Sequence, residues 1–156
     1  MATTVTPATL KVTIKEEITL NGQQMGGTNI LIIESVVEVD RRIVEVPTTE
    51  IEILAFAVTN PAAGSFDEAD VRYIRITNKD DTNFVTLTFK SESSNECAHK
   101  LDAGHSFIYA GDNAGGVVDT HDASATALTV SLDDLVNITA LADTAAVDLE
   151  LFVAGK

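Results

Sequence analysis

The side chains of this sequence best suited to acid–base, nucleophilic or metal chemistry are His99, His105, His121, Cys97 and an excess of carboxylates. A histidine metal site is announced by a second ligand two or four residues away, and no histidine here has one in a metal-ligand pattern. His99 and His105 can approach across the turn at residues 102–104. That would make at best a weak site, because metal-bound histidines need supporting partners. Surface or interface histidines are the favoured reading, and no metal site is expected. Cys97 and His99, two residues apart, share one face of a strand. No cysteine-protease context surrounds them, so Cys97 is expected to be a small buried hydrophobe. As the lone cysteine it excludes an internal disulfide and a cysteine-based zinc site.

Carboxylates crowd three loops: Asp67, Glu68 and Asp70; Asp80 and Asp81; Asp119 and Asp122. Calcium takes oxygen ligands from such loops, but the alternating Asp-x-Asp-x-Asp-Gly pattern is absent. Solvated loops are favoured, with Asp80 and Asp81 bonding the backbone of their own turn. Paired carboxylates also serve glycoside hydrolysis, yet there is no Trp and there are only two Tyr to give a sugar a platform. The glycine-rich stretch at residues 111–116 lacks the Gly-Lys-Ser/Thr ending of a phosphate loop. No Gly-x-Ser-x-Gly elbow occurs. The expectation is therefore no catalytic residue, no cofactor-binding residue and no enzyme activity.

Charge narrows the partners. The net charge is −14 and the pI about 4.3. Phosphate backbones are bound by neutralising them, and anionic membranes attract bases, so neither nucleic acid nor membrane is expected as a partner. Residues 101–156 carry nine acids against Lys156 alone. Such a surface keeps a protein soluble, and its sharper reading is a basic partner surface or bound cations. No apolar stretch approaches the ~20 residues that span a bilayer. The Thr/Ala-rich residues 1–9 do not read as a signal peptide, which predicts folding in a cytoplasm and leaves the final location open.

The elements that must position these groups read as strands. At 156 residues the chain fits one domain. With 19 Thr, 16 Val and 12 Ile, it is rich in β-branched residues that suit a pleated sheet. Leu10, Val12 and Ile14 alternate with polar residues, and Ile18 and Leu20 keep their parity. Asn21-Gly22 and Gly26-Gly27 bracket a turn. Ile30 to Ile33, then Val37, Val39, Ile43 and Val44, predict two strands or one strand bent near Asp40. Ile51, Ile53 and Ala55 alternate with Glu52 and Leu54, and residues 60–64 end that strand. Residues 71–77 and 84–90 predict a hairpin around the polar turn at 78–83. Cys97 to Leu101 and Ser106 to Tyr109 follow. Residues 128–138 predict a short strand with a helical turn at 133–136. Val147, Leu149, Leu151 and Val153 form the apolar face of a closing strand, with Asp148 and Glu150 turned outward. The fold expected is all-β, a single β-sandwich over residues 10–156, jelly-roll-like, with eight or nine short strands and a flexible N-terminal arm at residues 1–9.

The run Val71-Arg72-Tyr73-Ile74-Arg75-Ile76-Thr77-Asn78, the strand from Phe84 to Phe89, Leu101-Asp102-Ala103-Gly104-His105-Ser106-Phe107 and the closing segment from Ile138 to Val153 resemble small virion structural proteins of tailed bacteriophages. The resemblance spans residues 71–153 and its elements are hairpin chemistry. It implies a capsid-decorating (cement) protein, or another head or tail protein, without enzyme activity. No catalytic residue is carried over. The implied partner is the major capsid protein or another virion protein, in a homo-oligomer with a trimer as first choice. The implied location is the virion, after synthesis in the host cytoplasm. An acidic surface suits a basic capsid rim, and a Thr-rich amino terminus suits an arm that orders on assembly. A carbohydrate- or receptor-binding sandwich module of a tail or fibre is the alternative, weakened by an aromatic content of 5%. A hydrolase using loop carboxylates ranks last.

Overall fold

The computed structural model of the chain describes residues 4–57, 64–92, 94–111, 119–121 and 132–156. The expected break at residues 60–63, the glycine-rich tip at 112–116, Asp122 and the start of the expected strand at 128–131 lie outside the described residues. In chain order the strands are β1 (Ala8–Lys15), β2 (Thr19–Leu20), β3 (Gln23–Gln24), β4 (Thr28–Val36), β5 (Glu38–Val46), β6 (Ile51–Ala57), β7 (Ser65–Asp67), β8 (Val71–Asn78), β9 (Val85–Ser91), β10 (Glu96–Leu101), β11 (Ser106–Ala110), β12 (Asp119–His121), β13 (Leu132–Ala142) and β14 (Val147–Gly155). One sheet has the order β10-β9-β13-β6-β7, with β12 also on β13, and the other the order β11-β8-β14-β5. Pairing is antiparallel apart from β6 with β7. The chain passes between these sheets from β5 to β6, β7 to β8, β8 to β9, β10 to β11 and β13 to β14. The expected β-sandwich is what forms, with the sheet-crossing connections of a jelly-roll-like fold and more strands than the eight or nine expected.

Both inner faces meet in one apolar core. Val147, Leu149, Leu151 and Val153 are fully buried there with Ile74 and Ile76 of β8, facing Leu87 of β9, Leu54 of β6 and Ile138 of β13. The closing strand thus has the expected parity, and it sits between β5 and β8 in the middle of its sheet.

The structure corrects the sequence reading at several places. Residues 71–77 and 84–90 do not form a hairpin: β8 pairs with β14 and β11, whereas β9 pairs with β10 and β13. The turn at 78–83 spans the gap of about 10 Å between packed sheets. Its anchor is Asn78, fully buried, whose Nδ2 donates to the carbonyls of Asn83 (2.9 Å) and Leu101 (3.2 Å) and whose Oδ1 accepts from the Asp80 amide (2.9 Å). Of the two readings for residues 30–44 the two strands form, as β4 and β5, and the irregularity lies in β4, not near Asp40. Ala8 faces Val36 but Leu10 faces Ile33, so β4 carries a bulge, and Ser35 takes a positive φ of 62° there. Asp40, Arg41 and Arg42 sit inside β5. In β6 a second bulge reverses parity, because Ile138 faces Leu54 while Thr139 faces Glu52. Leu54 and Phe56 therefore turn inward beside Ile53, and Ala55 does not continue the inward face. Residues 133–136 are strand, not a helical turn, because Asp133 and Asp134 pair with β12 and Leu135 with Ser91 of β9.

The core and its polar anchor generate two expectations. Leu149→Ala or Leu151→Ala should cost about 2–5 kcal/mol, against little for the exposed Asp148→Ala; equal tolerance at both parities in denaturant unfolding would contradict the register. Asn78→Ala strands two carbonyls and an amide and should cost about 2–4 kcal/mol, measured in the same experiment.

Candidate interaction surface

The two outer faces of the sandwich differ in kind. On the six-strand sheet, polar side chains of β6, β9, β10 and β13 pair with one another on the outer face, beside the exposed Val136 and Leu141. Lys90 meets Glu50 (2.6 Å) and Glu96 (3.6 Å), Glu50 also accepts from Thr139 (2.5 Å), and Asn137 donates to Glu52 (2.9 Å). The Lys90 ammonium, then the Thr139 hydroxyl, hold the Glu50 carboxyl below its ordinary pKa.

The outer face of the four-strand sheet is apolar at one end and ionic at the other. Tyr73 and Phe152 meet edge-on (5.8 Å, 73°). Over them and Ala154 lies a β-ribbon made of β1 and β4, whose residues Leu10, Val12, Leu31 and Ile33 form a second, smaller core with them. Burial pushes the Tyr73 phenol up from its ordinary pKa, with Arg75 opposing. Beside this patch Glu150 is clamped by Arg75 and by Arg41 (3.2 Å), Arg75 being the larger cause of its lowered pKa. The outward parity expected for Glu150 holds, but the carboxylate is engaged by two guanidinium groups of its own sheet.

The ribbon continues past its root. The pair Leu20↔Gln23 closes around Asn21-Gly22, with φ of 51° and 79°, the two left-handed residues of a type I′ hairpin turn. Gly26-Gly27 does not bound that turn; it lies between β3 and β4, across from Glu16. A Cβ on Gly26 would overlap the Glu16 carbonyl, and Glu16 N donates to Gly27 O (2.8 Å). Ile18, Leu20 and Met25 are 54%, 53% and 65% exposed, and Ile30 and Ile32 on the face opposite the root are 49% and 54% exposed. Val39 and Ile43 on the edge strand β5, and Ile108 on the opposite edge strand β11, add bare apolar side chains to the same side of the molecule. Single exposed apolar residues are ordinary, whereas a contiguous set marks a contact surface. Composition could not find this surface, since these residues follow the same alternation as those that fill the core.

The residues singled out for chemistry are dispersed. Cys97 is exposed, not buried: β10 is an edge strand at the open side of the sandwich. His99 lies against the Phe107 ring (5.3 Å), while His105 Nδ1 is 2.8 Å from the Ala103 carbonyl oxygen. Each histidine is thus committed to a different neighbour. The side chains of Asp119 and His121 lie outside the described residues. Among the described residues no three His, Cys, Asp or Glu converge as a metal site. Asp67 accepts from the Ala69 amide (3.0 Å). Asp80 accepts from the amides of Thr82 (2.7 Å) and Asn83 (2.6 Å), the backbone role expected of it, whereas Asp81 accepts from the Thr82 side-chain hydroxyl (3.0 Å) and not from the backbone. The Asn83 amide, then that of Thr82, hold the Asp80 carboxyl below its ordinary pKa.

A carboxylate whose folded pKa is lowered stabilises the fold above its unfolded value, and that contribution is lost as pH falls through the folded value. Asp80→Asn should therefore lower the melting temperature near neutral pH and flatten its decline below about pH 4, as read by thermal melts across pH. Calcium should leave the melting temperature almost unchanged; a large shift that disappears in the Asp80→Ala, Asp81→Ala double variant would overturn the assignment of both residues to the turn. No protein-family model matches the chain, and no curated protein matches it in sequence.

Proposed function

We propose that this chain is a non-enzymatic structural protein of a tailed-phage particle, a capsid decoration (cement) protein that docks on the head surface as a homo-oligomer. The observation that carries the reading is the apolar ribbon. It stands on one side of a sandwich whose other outer face carries paired polar groups, among them Lys90 with Glu50 and Asn137 with Glu52, and fewer exposed apolar side chains, Val136 and Leu141. An enzyme has its unusual surface in a cleft with convergent polar groups; here the unusual surface is an exposed apolar ribbon, which suits contact with protein. The charge of −14 supplies the second component, long-range attraction to a basic capsid rim.

The resemblance of residues 71–153 to phage virion proteins supports the particle as the setting, with the trimer as first choice of symmetry. The major capsid protein is the partner that setting supplies. Nucleic acid and membrane have no place in the reading, given the sign of the charge.

A mass-spectrometric inventory of purified particles of the phage that encodes the chain tests this directly. Hundreds of copies per particle are expected; a few copies would move the protein to the tail or fibre, and absence from particles would overturn the reading. Attachment to the head should weaken as salt rises, since counter-ions screen the acidic surface. Salt-independent attachment would leave the charge as a solubilising feature only.

A further inference from the structure

Residues 18–33, from the tip of the ribbon to its root, contain no charged side chain, in a chain of net charge −14. At the near end of this stretch Lys15 pairs with Glu17 (2.5 Å). Beneath the ribbon lies a groove of about 240 Å³ between its root and the edge strand β11, lined by Val12, Ile14, Leu31, Tyr73 and Ile108 with no charged residue. The tip bearing Ile18, Leu20 and Met25 and this groove are thus matched in chemistry. They cannot meet within one copy. From Ile14 to Leu20 the ribbon advances about 20 Å at 3.3 Å per residue, and returning the tip to a groove walled by its own root would break the β1–β4 ladder.

We propose that the ribbon tip of one copy seats in the groove of a second copy, an arm-in-groove contact that links the homo-oligomer. The occupant follows from charge. A basic partner gains attraction from the acidic body and nothing from an uncharged tip. Two copies of an acidic body repel wherever their charged surfaces meet, and the tip and groove are surfaces through which they join without opposing like charges. A two-stranded ribbon is marginal on its own in water, so a neighbour's groove also supplies the burial that the tip lacks. The contact is heterologous, one patch against a different one, and closes into a ring where the rotation per copy allows. This deepens the assembly part of the function proposed above and rests on it.

The test uses the full chain and two variants, Leu20→Asp at the tip and Ile108→Asp in the groove, both at exposed positions, with circular dichroism to show that each remains folded. Light scattering should find the unmodified chain oligomeric and each variant monomeric. An equimolar mixture should give a dimer, because it retains one intact tip for one intact groove. A monomeric unmodified chain, a variant that keeps the parent oligomer, or a mixture that stays monomeric would each overturn the proposal. Self-association should tighten between about 0.05 M and about 0.5 M salt as body–body repulsion is screened, the opposite sign to docking on a basic capsid, and loosening over that range would contradict it. A chain abundant in particles but monomeric in solution would sink this contact and leave the function standing. An arm-linked oligomer missing from particles would do the reverse.

Discussion

Tyr73, Phe152 and Ala154 lie on the outer face of a sheet whose inner face already fills the core, and the rest of the structure depends on how that second face is kept from water. Strands β8 and β14 present apolar residues to both sides, Ile74, Ile76, Leu149 and Leu151 inward and Tyr73 and Phe152 outward. A sheet buried on both faces needs a layer on each. The ribbon root supplies that layer through Leu10, Val12, Leu31 and Ile33. Once those residues are spent, the bulge at Ser35 and the register of β1 on β4 fix where the remaining apolar residues point, and Ile30 and Ile32 point away from the sandwich.

The ionic groups mark where that layer stops. Arg41, Arg75 and Glu150 occupy the same outer face next to Phe152, and the carboxylate is held ionised by both guanidinium groups. Surface pairs of this sort add little to stability. Their effect is on shape: an ionic cluster beside the ribbon root is costly to cover with apolar residues, so the ribbon root sits over the Tyr73, Phe152 and Ala154 end of the face. On the opposite sheet Lys90 pairs with Glu50 and Glu96, Thr139 donates to Glu50 and Asn137 to Glu52. The two outer faces thus differ in how much of their polar surface is already paired.

Much of this was legible in the sequence, and the failures have physical causes. Alternation exposed β1 and β14, because the core-facing residues of each keep one parity. It failed in β6, where a bulge at Ile53 swaps the faces, and at Ser35, since bulges are set by the partner strand rather than by local residues. The turn at 78–83 reads as a hairpin because Asn, Asp and Thr serve any tight connection; what sends it across to the other sheet is the buried amide of Asn78, whose partners Asn83 and Leu101 lie 5 and 23 residues away. Residues 133–136 read as a helical turn on local propensity, which pairing on both sides overrides. Cys97 reads as buried from its type and is exposed because β10 is an edge. The exposed apolar surface was not legible, because Ile30 and Ile32 look like core residues until it is known which residues the core has already used.

Amide hydrogen exchange, read residue by residue on the dilute free chain and on the chain assembled in particles, tests most directly the claim that the ribbon is the assembly surface. The account predicts fast exchange for residues 18–25 in the free chain and strong protection in the assembled one, with the amides of β8, β13 and β14 equally slow in both. Equal exchange of residues 18–25 in the two states would contradict it.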